Sequence, residues 1–167
     1  MCICAFVKRR GLRMADKTRP DADDCNCFAV RSAARHVTQL YDQYLAPVGL
    51  RTTQYSVLGR LKRRGKLTIN ALASEMVMDR STLGRNIQPL ERDGLIAIES
   101  DPSDLRAKVL CLTRDGEKRL EAARKAWSQA QTYFESNFGV RRSAEMRELM
   151  RAVVASSSSK AGDFSED

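Results

Sequence analysis

Residues 67–113 leave the chain little choice of fold. They read LTINALASEMVMDRSTLGRNIQPLERDGLIAIESDPSDLRAKVLCLT. Leu83, Ile87 and Leu90 recur at i, i+4 and i+7, the spacing that buries one face of a helix. Asp79 stands just before that run, where a carboxylate caps the first turn and suits the positive end of the helix dipole. Gly94 stands where the run stops, and Leu95-Ile96 begins a strand. Upstream, Thr68 caps a shorter helix over residues 69–76 whose Leu72, Ala73 and Met76 face inward, after a very short strand at Lys66-Leu67. Downstream, strands over 95–99 and 107–112 flank the polar stretch 100–106. The order helix, tight turn, helix, hairpin predicts a helix-turn-helix with a β wing.

The second helix carries Ser81, Thr82, Arg85, Asn86 and Gln88 away from its apolar stripe. On an isolated helix such a row is an ordinary solvated surface. Between a preceding helix and a following hairpin it has the chemistry to read a major groove: arginine pairs bidentately with guanine, asparagine or glutamine with adenine, and short hydroxyls reach bases or phosphates. Arg80 is expected on a phosphate. Pro89 removes the amide that would bond Arg85, so a bend is expected there, with Leu90 keeping the apolar phase. On the wing, Arg106 is expected in the minor groove, where negative potential concentrates. Asp104, two residues away, is placed to orient its guanidinium.

The rest of the chain bounds the reading. With 167 residues, one domain is the default. The net charge of +8 favours an anionic partner without specifying one. No apolar run is long enough for a membrane helix. The short apolar run at residues 2–7 precedes its basic residues, the reverse of a secretory leader, so a cytoplasmic protein without a membrane partner is expected. The five cysteines are then read as thiols. No phosphate loop, dinucleotide fingerprint or zinc-protease motif is present, so no enzyme is expected. The single histidine, His36, and the one-residue spacing of Cys2/Cys4 and Cys25/Cys27 argue against a metal site, and no cofactor is implied. Residues 1–24 read as a flexible arm in which Met14 is an alternative start. Residues 27–45 read as a helix with Val30, Ala33, Val37, Tyr41 and Tyr44 on one face. Thr52 is expected to cap a helix over 53–64 that ends in Lys62-Arg63-Arg64. Helices over 114–136 and 143–155 follow, and the serine-rich segment 156–167 is expected to be disordered.

The motifs Asp79-Arg80-Ser81-Thr82-Leu83, Leu90-Glu91-Arg92-Asp93-Gly94-Leu95-Ile96, and Asp104-Leu105-Arg106 leading to Leu110-Cys111-Leu112-Thr113 together resemble the multiple-antibiotic-resistance regulator (MarR) family of winged-helix transcription factors. The likeness runs from about residue 27 to residue 154. It implies a fold that is mainly α with a small β wing (α+β): a winged helix-turn-helix domain at 51–113 and a helical dimerisation region at 25–50 and 114–155. It implies a homodimer on double-stranded DNA with a palindromic operator, acting as a repressor released by a small molecule or an oxidant. Tyr41, Tyr55 and Trp127 are candidates for an effector pocket. Cys27, with Cys25 beside it, is a candidate redox sensor. Cys27-Phe28-Ala29 and Tyr41 are similar to the thiol context of the family's organic-hydroperoxide repressors, although the second tyrosine of that pattern falls at Thr52. The alternative is a winged-helix dimerisation module that does not bind DNA.

Overall fold

The structure, a computed structural model, describes residues 24–100 and 108–158. Six helices and three strands follow in chain order: α1 (Asn26–Leu45), α2 (Thr52–Arg64), β1 (Leu67–Thr68), α3 (Ile69–Glu75), α4 (Arg80–Arg92), β2 (Ile96–Ser100), β3 (Lys108–Leu112), α5 (Arg114–Phe138) and α6 (Val140–Ser158). The strands form one antiparallel sheet in the order β1-β3-β2, with Leu67 opposite Leu110 and Ile96 opposite Leu112. The expected fold class is therefore observed, mostly helical with a small wing. The described residues divide into two units between His36 and Val37, a boundary that falls within α1.

The core of the second unit gathers Leu45, Leu58 and Leu61, Leu72 of α3, the stripe Leu83, Ile87 and Leu90 of α4, and Leu110 of β3. Local chemistry sets the boundaries. Thr68 Oγ1 accepts from the Ala71 amide at 3.1 Å and starts α3. Gly94 ends α4 at φ +69°, with its amide on Glu91 O and that of Leu95 on Leu90 O, the paired bonds of a left-handed helix stop. Leu95 is thus the last link of that stop, so β2 opens one residue later than the sequence suggests. Thr113 Oγ1 accepts from the Gly116 amide at 3.0 Å and donates to Gly94 O at 2.7 Å. One hydroxyl therefore starts α5 and ties it to the end of α4.

Several boundaries correct the sequence reading: β1 spans Leu67–Thr68, α3 stops at Glu75 and α5 runs to Phe138. Arg51, not Thr52, is the cap of α2, and its amide donates to Gln54 Oε1 at 2.9 Å. Thr52 is drawn instead to α1, where Asp42 Oδ1 accepts from both its amide and its hydroxyl at 2.7 Å. α6 begins at Val140 instead of 143, because the Ser143 amide already bonds Gly139 O at 2.9 Å. It also runs to Ser158, past the expected end at 155, and Ser156 Oγ donates back to Val153 O. Along α1 only Tyr41 and Leu45 of the apolar side are buried. The remainder of the proposed arm and tail lies outside the described residues. Among those described, no helix is long and apolar enough to cross a membrane.

Candidate nucleic-acid interface

The turn between α3 and α4 is built on an unusual residue. Val77 is 68% exposed and sits at φ +52°, with its amide on Ser74 O and that of Met78 on Ala73 O. This is the same left-handed stop seen at Gly94, but with a β-branched residue where glycine fits best.

α4 starts at Asp79, whose Oδ1 accepts from the Thr82 amide at 2.7 Å and from Ser81 Oγ at 2.6 Å. These bonds, that from Ser81 first and those from Thr82 next, hold the Asp79 carboxyl well below the usual carboxylate range. Leu83, Ile87 and Leu90 are buried, and the helix passes through Pro89 without breaking. Arg80, Ser81, Arg85 and Gln88 are exposed, whereas Thr82 and Asn86 are half-buried. Two of the expected reading groups are engaged within the helix. Asn86 Nδ2 donates to Thr82 O at 2.8 Å, and Arg85 Nη2 lies a long 3.5 Å from Thr82 Oγ1. Ser81 is likewise tied to its cap. Asp104 and Arg106 lie outside the described residues.

Two of the three cations closing α2, Lys62 and Arg64, are paired with carboxylates of the same unit. Lys62 Nζ lies 2.6 Å from Glu117, Arg64 Nε 2.9 Å from Glu75, and the neighbouring Lys66 Nζ 2.6 Å from Glu99. Cys111, near the last pair, is buried, and its thiol is pushed up first by burial and then by Glu99.

A cleft of about 330 Å³ opens between α2 and α5, lined by Tyr55, Arg60, Arg63, Leu120, Arg124 and Trp127 among others. Tyr55 and Trp127 stack in its wall, ring centres 6.0 Å apart and planes 16° apart. Arg60 Nε is buried with no acceptor among the described residues, and Nη1 of the same side chain stands 3.9 Å from Glu75 Oε2. The cleft combines a flat apolar wall with a guanidinium that is not fully satisfied. The sequence reading had singled out Tyr55 and Trp127, and the fold brings them together. Tyr41 does not line this cleft. Its hydroxyl donates to Gln131 Oε1 at 2.5 Å, and burial is the first cause that raises its pKa. Arg60 was missed, although Ser56, Arg60 and Arg63 repeat at i, i+4 and i+7 on the side of α2 away from Val57, Leu58 and Leu61.

Cys25 and Cys27 are both exposed. The sulfur at the very start of α1 is that of Cys25, which accepts from the Phe28 amide at 3.5 Å. Among the described residues no group of three histidine, cysteine or acidic side chains gathers to hold a metal.

Comparison with known proteins bears on the whole arrangement. A family model described as MarR family matches residues 48–107. The transcriptional regulator HosA of Escherichia coli O127:H6 is 30% identical over 133 residues, 76% of this chain and 96% of HosA. The organic hydroperoxide resistance transcriptional regulator of Bacillus subtilis is 28% identical over 90 residues, 54% of this chain and 61% of that protein, so the match spans less than two thirds of its length. Among solved structures, the Mycobacterium tuberculosis transcriptional regulator MosR in complex with DNA superposes with a TM-score of 0.67 at 33% identity, covering 78% of this chain and 97% of that one.

Proposed function

The chain belongs to the MarR family of winged-helix transcriptional regulators, and from that premise we propose that it is a homodimeric repressor that occupies a palindromic operator and is released by a small anion. The observation that carries the DNA half is α4 itself: a capped helix whose apolar side is sealed in the core and whose Ser81, Thr82, Arg85, Asn86 and Gln88 side is left outward. The relative crystallised on DNA supports the same reading. Arg80 contacts a phosphate, Arg85 and Asn86 contact base edges, and Arg106, oriented by Asp104, enters the minor groove. Dimerisation falls to α1, α5 and α6. Support comes from α6, whose Leu149 and Val153 are 63% and 52% exposed in a single chain.

The effector reading rests on the cleft between α2 and α5. A flat, negatively charged molecule would stack against Tyr55 and Trp127 and satisfy Arg60. Because Arg60 also faces Glu75 at the end of α3, its capture would loosen the helix that leads into α4. Release by an oxidant is a second reading, favoured by the exposure of Cys25 and Cys27 and by the similarity to a hydroperoxide resistance regulator. Hydroperoxide would then weaken DNA binding by the wild type and leave Cys27→Ser bound.

The deciding experiment selects bound duplexes from a randomised pool and then measures affinity against salt. A repressor of this kind recovers an inverted repeat, and its affinity falls linearly in the logarithm of salt concentration. Failure to retain any duplex at low salt would leave the dimerisation module that does not bind DNA. Sedimentation of the full chain and of a chain cut before Ser143 tests assembly. A well-folded monomer that still binds the selected site would sink the dimer.

A further inference from the structure

α4 contains a glycine that its own chain does not explain. Gly84 is the fifth of thirteen residues in the helix, far from either end. Glycine in a helix interior destabilises the fold relative to alanine, because it loses more backbone freedom on ordering. That cost is normally tied to something local. At Gly116 the reason is close packing, since a Cβ there would fall 2.0 Å from Leu95 O. At Gly49, Gly65, Gly94 and Gly139 the reason is a positive φ. Gly59, inside α2, has neither reason, but it lines the cleft between α2 and α5, which a side chain there would narrow. Gly84 has none of these reasons. Its φ is not positive, and a Cβ built on it meets nothing within 4 Å.

Its position says where to look. At about 100° per residue, Gly84 falls on the shoulder of α4, between the buried stripe and the outward row, with Glu91 nearest to it in angle and Arg80 and Gln88 next. A helix with its side chains is about 10–12 Å across, and a major groove is about 12 Å wide. A helix lying in that groove therefore has one shoulder against each sugar–phosphate wall, with little room to spare. A shoulder without a side chain can approach its wall to backbone distance, which seats the row Ser81, Arg85 and Gln88 deeper against the base edges.

We propose that Gly84 is the point of closest approach between the reading helix and the DNA backbone, and that it sets how deeply the helix sits in the groove. The proposal rests on the reading that α4 binds DNA. It makes Gly84 a positioning residue, acting through the base contacts of its neighbours, and it accounts for a residue that weakens its own helix without intramolecular return.

The test uses Gly84→Ala and Gly84→Leu in the full chain, on the duplex selected by the wild type and on an unrelated duplex. Both substitutions suit a helix, so both variants should resist urea better than or as well as the wild type. Alanine should weaken the selected site by roughly tenfold, comparable with losing one base contact, and leucine should weaken it further. Binding to the unrelated duplex should fall less, so the specificity ratio drops. The slope of affinity against salt should stay unchanged, because no charge is altered. Wild-type affinity in both variants would overturn the role of Gly84 while leaving DNA binding intact. Loss of stability in Gly84→Ala would also overturn it, by revealing an internal reason for the glycine. A wild type that binds no duplex would remove the reading beneath it.

Discussion

Asn86 Nδ2 donates to the carbonyl oxygen of Thr82, 2.8 Å away and one turn back on α4. To read a base, Asn86 must give up that bond, so its net contribution is the difference between two hydrogen bonds. Arg85 surrenders far less, because its contact with Thr82 Oγ1 is a long 3.5 Å. Arg85→Ala should therefore cost the selected site about 1–3 kcal/mol, tenfold to a hundredfold or more, and relax preference at one base pair of each half-site. Asn86→Ala should cost clearly less. Equal losses measured by fluorescence anisotropy would mean that the Thr82 bond is not what restrains Asn86.

The proposed path from the cleft to α4 predicts its own signature. Trp127, the only tryptophan in the sequence, lines the cleft, so its fluorescence reports occupancy. Benzoate, as a flat carboxylate, should quench it and weaken operator binding by roughly fivefold or more, the low end of typical coupling between sites. Glu75→Gln should bind benzoate more tightly, since Arg60 is no longer shared, while its DNA affinity stops responding. Arg60→Gln should lose both effects. Quenching without any change in Glu75→Gln would cut the path at Glu75.

Val77 offers a stability test. A left-handed conformation costs a residue with a Cβ roughly 1–2 kcal/mol, part of which glycine returns through its greater freedom when unfolded. Val77→Gly should raise the unfolding free energy by about 1 kcal/mol or somewhat less. A lower urea midpoint would show that exposed Val77 contributes a contact worth more than its backbone strain.

Gly116 should respond in the opposite sense. A methyl group there would fall 2.0 Å from Leu95 O and 2.7 Å from a Leu112 methyl, and backbone cannot step aside as a side chain can. Gly116→Ala should destabilise by about 1–3 kcal/mol, the usual cost of overpacking. An unchanged melting temperature would mean that α5 shifts freely on the wing.

Asp79 sets a pH dependence. Its folded pKa is depressed, so its contribution is fully present above the unfolded value of about 4 and disappears as the pH falls through the folded value. Asp79→Asn keeps a capping oxygen without the titration. The difference in urea midpoint between wild type and Asp79→Asn should be constant from neutral pH down to about 5 and move in favour of the variant below about 4. A difference that drifts near neutrality would assign the effect to another group.

What the sequence disclosed follows the range of the forces involved. The stripe of α4, its Asp79 cap and the Gly94 stop depend on neighbours within a turn, and periodicity reveals them. The cap of α2 was misplaced because Asp42, ten residues upstream and on another helix, captures Thr52. The meeting of Arg60 with Glu75 joins residues fifteen apart on different helices, and no local pattern announces it. The backbone of Val77 was hidden for a related reason: a β-branched residue gives no warning of a left-handed turn, and the surrounding helices impose it.

The uncovered face of α6 has a consequence for dosage. Its Leu149 and Val153 are exposed in the single chain; on the proposed twofold assembly they would be hidden where two chains meet, and the free energy of hiding them would depend on mass action. At concentrations where chains are mostly separate, the number of pairs rises with the square of the number of chains. Halving expression would then remove about three quarters of the operator-competent species. Gene dosage would act on the promoter more steeply than in proportion, before any effector enters the cleft.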